Sequence, residues 1–216
     1  MVVRPTNRLS ACLAAAFPVI ASAQHTPAVL PAITVQAPQQ EEGADITEGT
    51  GSYTTLGVSR TATPLGLSLR DTPQSVTVVT QQRIEDQDLL TITDVVNNAT
   101  GVSVNQYETH RGQFNSRGFD INTLMIDGVP TTWQQPWSSG EVFTSLAMYD
   151  RVEIVRGPAS VLYGQGSIGG LVNLVSKTPE FRTGGELNLV YGSYDRKEAM
   201  GDVNLALADN LAVRFV

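Results

Sequence analysis

The sequence predicts a small α+β domain followed by antiparallel strands of the barrel-wall type. Three observations carry that expectation. Between residues 53 and 182, short β-rich runs (75–80, 152–155 and 171–175) alternate with two short helical stretches. After Gly184-Gly185 the pattern becomes period-2: Leu187, Leu189 and Tyr191 alternate with Glu186, Asn188 and Val190. The same holds for Val203, Leu205 and Leu207 against Asp202, Asn204 and Ala206, and for Leu211, Val213 and Phe215 against Ala212 and Arg214. Finally, 19 Gly and 11 Pro in 216 residues suit a chain with many turns.

The first element is an address. Arg4 and Arg8 form a short basic region, residues 9–20 are mostly apolar, and Ala21-Ser22-Ala23 supplies small residues for cleavage. Residues 1–23 therefore read as a secretory signal peptide. The apolar run is too short for a bilayer span, which needs roughly 20 residues. Cleavage removes Cys12, the only cysteine, and the two arginines, and takes the formal charge from −7 to −9. Thiol catalysis and cysteine metal sites are thereby excluded. The acidic balance, 14 Lys+Arg against 21 Asp+Glu, argues against nucleic acid as a partner. No later stretch approaches a continuous apolar span, so a membrane would be met by strands.

Residues 24–52 read as a linker punctuated by Pro27, Pro31 and Pro38. Within it lies an apolar island, Ile33, Thr34, Val35, Gln36 and Ala37. Its β-branched residues favour an extended chain, and the flanking prolines oppose a helix. Such a peptide can add itself to the open sheet edge of another protein, or it can be plain linker.

From residue 53 the elements follow in order. Residues 75–80 predict a strand and 81–90 a short helix. Thr93 is placed as the cap of a second helix over 94–99, ended by Gly101. Strands follow at 102–104, 124–126, 152–155 and 171–175, with a turn at Asp127-Gly128. The alternating segments after 184 suit a barrel wall with a wet interior, and equally a surface hairpin on a soluble sheet.

Few residues suggest catalysis. Gly164, Gly166 and Gly169 fit the GxGxxG pattern, but nucleotide binding needs a helix next, and residues 171–175 are β-like. The glycines read better as tight turns. His25 and His110 suggest no local metal site. Two polar-aromatic loops remain, 105–115 and 131–140. Arg111 and Phe114 in the first, and Trp133, Gln134, Gln135 and Trp137 in the second, are candidates to hold a bulky polar ligand. Burial of the tryptophans in a core is the alternative.

The motifs then resemble a known family. Leu69-Arg70-Asp71-Thr72-Pro73-Gln74-Ser75-Val76 is similar to the start of the plug domain of TonB-dependent outer-membrane receptors, in their ferric-siderophore branch. Ser116-Arg117-Gly118-Phe119 and Ile126-Asp127-Gly128-Val129-Pro130 resemble that domain's central signatures. Asp150-Arg151-Val152-Glu153-Ile154-Val155-Arg156-Gly157-Pro158, Ser160-Val161-Leu162-Tyr163-Gly164, Gly169-Gly170-Leu171-Val172-Asn173 and Ser176-Lys177-Thr178-Pro179 resemble its last segment. The motifs run in family order over residues 65–180.

The resemblance implies an α+β plug over 53–182 and the first two or three strands of a transmembrane barrel over 183–216, a barrel that has 22 strands in the family. It implies that Ile33, Thr34, Val35, Gln36 and Ala37 form a TonB box, that the apical loops face a ferric siderophore, and that Arg111 stands where hydroxamate receptors present an arginine. It implies an outer-membrane location in a Gram-negative bacterium, lipid around the wall, and TonB with its ExbB–ExbD inner-membrane motor as partners. No enzyme activity, cofactor or protein-ligated metal is implied; iron is cargo. The barrel strands stop well short of a closed wall, so the chain is expected to be an N-terminal piece of a longer receptor. Only about nine residues separate Ala23 from Ile33, too few for the periplasmic signalling domain that some members carry. A receptor for a cobalamin, a glycan or another metal chelate shares this architecture.

Overall fold

The computed structural model describes residues 46–55, 57–63, 65–108, 111–131, 133, 145–158, 168–195 and 197–216; for Glu108 and Arg111 it describes the backbone alone. The TonB-box candidates at 33–37 and the expected signal peptide lie outside the described residues.

β1 (Val58–Ser59) and β2 (Leu67–Ser68) form a two-stranded antiparallel ribbon ahead of the main sheet. β3 (Ser75–Thr80) enters the sheet where expected. Thr80 ends it and caps α1 (Gln81–Asp86), accepting a hydrogen bond from the Arg83 amide. This helix is shorter than the expected 81–90. Gln87 donates back to the Arg83 carbonyl, and Asp88 takes a positive φ of 49°, which stops the helix.

α2 spans Ile92–Asn98, and its cap is Thr91 rather than Thr93. The Thr91 hydroxyl accepts from the Asp94 amide at 3.2 Å, and the Asp94 carboxylate accepts from the Thr91 amide at 2.9 Å. This reciprocal box needs an acceptor three residues after the cap. Asp94 supplies it for Thr91; the residue three after Thr93 is Val96, which cannot.

β4 (Val102–Glu108), β5 (Arg111–Ser116) and β6 (Phe119–Asp120) form a three-stranded antiparallel sheet. β7 (Thr123–Ile126), β8 (Val129–Pro130), β9 (Tyr149–Arg156) and β10 (Gly170–Ser176) join β3 in the central sheet, in the order β3-β9-β10-β7-β8. β10 runs parallel to β7, and the other neighbours are antiparallel. β9 and β10 sit in the middle and are covered on both faces, so Val155 and Leu171 are buried as fully as Val152, Ile154, Val172 and Leu174 on the other face.

The main core lies between one face of this sheet and α2. Val152, Ile154, Val172 and Leu174 meet Ile92, Val95 and Val96, each with almost no exposed surface. Each such side chain contributes about 1.5–3 kcal/mol by leaving water. Alternate residues of the same strands point the other way. There Met125, Val155 and Leu171 form a smaller cluster, beside the buried Glu153 and Asn173.

β11 (Gly184–Tyr191), β12 (Lys197–Ala208) and β13 (Leu211–Phe215) form a separate antiparallel sheet, with a turn at Asp209-Asn210. Its two faces are inverted relative to a soluble sheet. Asp202 and Asn204 are buried, whereas Leu187, Leu189 and Tyr191 are 71%, 69% and 78% exposed. A soluble hairpin would turn its apolar side onto a core. This inversion decides between the two sequence readings in favour of a barrel wall. Among the described residues, no helix is long and apolar enough to cross a membrane.

Candidate functional site

The β4–β5 hairpin carries one candidate surface. Val102 and Val104 pack on the core, and Phe114 stands across from Val104. The next outward positions are polar: Asn105 pairs with Gln113 in register, and Tyr107 projects with half its surface exposed. The Tyr107 hydroxyl bonds the Gln113 side-chain oxygen. Tyr107 was readable from alternation counted outward from Val102, yet it was absent from the expected ligand set.

Two members of that set are placed differently. Phe114 is fully buried and Trp133 is 5% exposed; their rings meet at 5.3 Å with 49° between planes. Neither offers surface to a ligand. The reason is register: Phe114 falls on the inward face of β5, and Trp133 packs against it within the core. Arg111 opens β5 and pairs through its backbone with Glu108, but its side chain lies outside the described residues, as do Gln134, Gln135 and Trp137.

The glycine motif resolves without a nucleotide. Gly164 and Gly166 lie outside the described residues, and Gly169 leads directly into strand β10, not a helix. The remote nucleotide-binding reading therefore falls. Gly169 itself lies in a bend that leads into β10. A Cβ on Gly169 would sit 2.5 Å from the Asp120 carbonyl oxygen, and one on Gly170 2.0 Å from that of Val155. These glycines permit close approach of strands.

A second site lies where the chain enters the domain. The Thr47 amide donates to both carboxylate oxygens of Asp150 at 3.0 and 3.1 Å, and the Glu48 amide to one of them at 2.8 Å. The Thr47 hydroxyl accepts from the Gln81 amide at 3.0 Å. Residues 47 and 48 are thus fastened to the start of β9 and of α1.

Glu48 also reaches the wall. Its carboxylate takes a two-pronged bond from Arg214 on β13, at 2.6 and 2.7 Å. Arg214 donates in turn to Asp202 on β12 at 2.8 Å, and Lys177, just after β10, reaches the same carboxylate at 2.9 Å. Next to it, Asn204 accepts from the Glu180 amide at 3.0 Å and donates to the Glu180 carbonyl at 2.8 Å. The hydrogen bond from Arg214 holds the Glu48 carboxyl below the usual carboxylate range, against the opposing effect of burial. Sequence reasoning missed this cluster. The available signal was the polar set on the inward face of the alternating strands.

The geometry defines a class: a small mixed-sheet domain bonded through inward-facing polar side chains to the wall of a membrane barrel. Residues 68–171 match the family described as the TonB-dependent Receptor Plug Domain, and this part of the chain is a plug domain of that family. The chain is 41% identical over 170 residues to the ferripyoverdine receptor of Pseudomonas aeruginosa, covering 78% of this chain and 21% of that protein. It is 32% identical over 197 residues to the ferrioxamine receptor of Yersinia enterocolitica, covering 85% of this chain and 26% of that one. The crystal structure of the Pseudomonas aeruginosa ferripyoverdine receptor bound to ferripyoverdine superposes with a TM-score of 0.74 at 40% identity, over 79% of this chain and 23% of that one. The chain thus spans about a fifth to a quarter of the length of these relatives.

Proposed function

We propose that this chain belongs to an outer-membrane receptor that takes up a ferric siderophore by a TonB-dependent route in a Gram-negative bacterium. The observation that carries this reading is a plug domain bonded to strands whose apolar face is outward and whose polar face is inward. The siderophore receptors among its relatives support the cargo class.

In this reading, residues 1–23 direct export and 24–52 hold the TonB box at Ile33, Thr34, Val35, Gln36 and Ala37. Residues 53–182 are the plug, and 183–216 begin the barrel, with lipid against its outer face. The box pairs as a strand with TonB, so that a row of backbone hydrogen bonds bears the load supplied by the ExbB–ExbD motor. The ligand rests on the apical surface, held at nanomolar affinity, about −12 kcal/mol. Work is needed because such a ligand leaves slowly. The siderophore fills the iron's coordination, so the protein supplies shape and hydrogen bonds.

The ligand is a ferric hydroxamate in this reading. Described apical groups are neutral hydrogen-bonding side chains, Asn105, Gln106, Tyr107 and Gln113, and the candidates Arg111, Gln134, Gln135 and Trp137 add one cation. A trianionic catecholate would want more positive charge. Titration of the full-length receptor with ferric hydroxamates and ferric catecholates tests this. Tighter hydroxamate binding is expected, and a clear catecholate preference overturns the ligand assignment.

A further inference from the structure

Resting on the reading that TonB draws the chain ahead of residue 46, we propose that Thr47 and Glu48 form a releasable latch. The latch fastens the entering chain to both the plug and the wall, and it opens in each transport cycle. Tension arriving along the chain meets these two residues before any strand of the plug. Thr47 holds β9 through Asp150, and Glu48 holds β13 through Arg214. The plug cannot be drawn through its entering segment until both grips are lost.

Both grips are built to be vacated. A buried charge left without a partner is costly. Here each anchor keeps a second partner of opposite charge after the segment leaves. Arg214 retains Asp202 at 2.8 Å, and Asp202 retains Lys177 at 2.9 Å. Asp150 retains Arg151 at 2.9 Å. The Glu48 side chain is 17% exposed and borders an open cleft with Glu180, Arg182 and Asn204, so water can replace Arg214 as it departs. The wall contacts that do not involve residues 47 and 48, Lys177 to Asp202 and Asn204 to Glu180, stay in place. Release at the entry therefore leaves the plug's exit moored.

The test fixes the latch shut. Glu48→Cys and Arg214→Cys are combined in the full-length receptor, whose residues 24–216 contain no native cysteine. The pair is joined on cells with a short bis-thiosulfonate linker that reductant cleaves. Uptake of a radiolabelled ferric hydroxamate is expected to fall to background when linked and to return on reduction, with surface binding constant throughout. Undiminished uptake by the linked receptor overturns the latch. Val35→Pro runs alongside: if that variant transports, the TonB-box reading itself fails, whatever the linked pair does. A second readout is hydrogen exchange in the purified receptor. Glu48→Gln is expected to speed exchange of the Thr47 and Glu48 amides several-fold, and unchanged exchange overturns the latch.

Discussion

Phe114 and Trp133 pack ring against ring, 5.3 Å between centroids, inside the core that joins the β4–β5 hairpin to α2 and the central sheet. Phe114 has no exposed surface. Its truncation therefore acts on stability. Phe114→Ala is expected to cost about 3–5 kcal/mol, the range for a large buried aromatic. Urea unfolding followed by tryptophan fluorescence measures it, and a loss below about 1 kcal/mol would remove Phe114 from the core.

Gly170 lies against Val155 with room for no side chain. It has a φ of +125°, and a Cβ there would fall 2.0 Å from the Val155 carbonyl oxygen. Gly170→Ala must part β10 from β9, at the centre of the sheet. Gly128→Ala meets nothing within 4 Å and incurs only its φ of +78°, about 1–2 kcal/mol. The expected order of folded yield is wild type, then Gly128→Ala, then Gly170→Ala. Equal yields for the two variants would contradict the close approach.

Much of this fold was legible in the sequence because its signals are local. β3, β9 and β10 are β-branched runs, and Asp127-Gly128 and Asp209-Asn210 are turn pairs. The helix cap was misplaced by two residues because two threonines compete, and only Thr91 has an acid three residues on. The candidate surface was half legible. Period-2 alternation carries the inward or outward sense of Phe114 and Tyr107, but a loop read for composition alone loses that phase. The Glu48–Arg214 contact joins residues 166 apart, and no local pattern reports it.

Thr91→Ala removes the reciprocal box at the start of α2 and leaves the Asp94 amide without its acceptor. The expected cost is about 1 kcal/mol. Thermal or urea unfolding checks it. No measurable loss would show that the box is not what starts this helix.

Glu48 gives the entry segment a definite pH response. Its carboxyl titrates below the usual value of 4.5 because Arg214 hydrogen-bonds it; Lys177 also favours its charge, while Asp202 opposes it. A depressed folded-state pKa contributes stability that is complete above the unfolded value and is lost as pH falls through the folded one. Docking of residues 46–50 is therefore expected to hold constant from pH 8 down to about 5 and to weaken only below about 4.5. Hydrogen exchange of the Thr47 amide, corrected for its intrinsic pH dependence, follows this. Glu48→Gln should abolish the acid step, and an acid step that survives the substitution would assign it to another group.

The most direct test of the whole account is uptake itself. Cells expressing the full-length receptor are given a radiolabelled ferric hydroxamate, and surface-bound and internalised label are separated. Wild type is expected to internalise label, and Val35→Pro, which removes a pairing N–H from the proposed box, is expected to bind it equally well but internalise none. Internalisation by Val35→Pro at the wild-type rate, or by wild type in cells lacking TonB, would contradict the account.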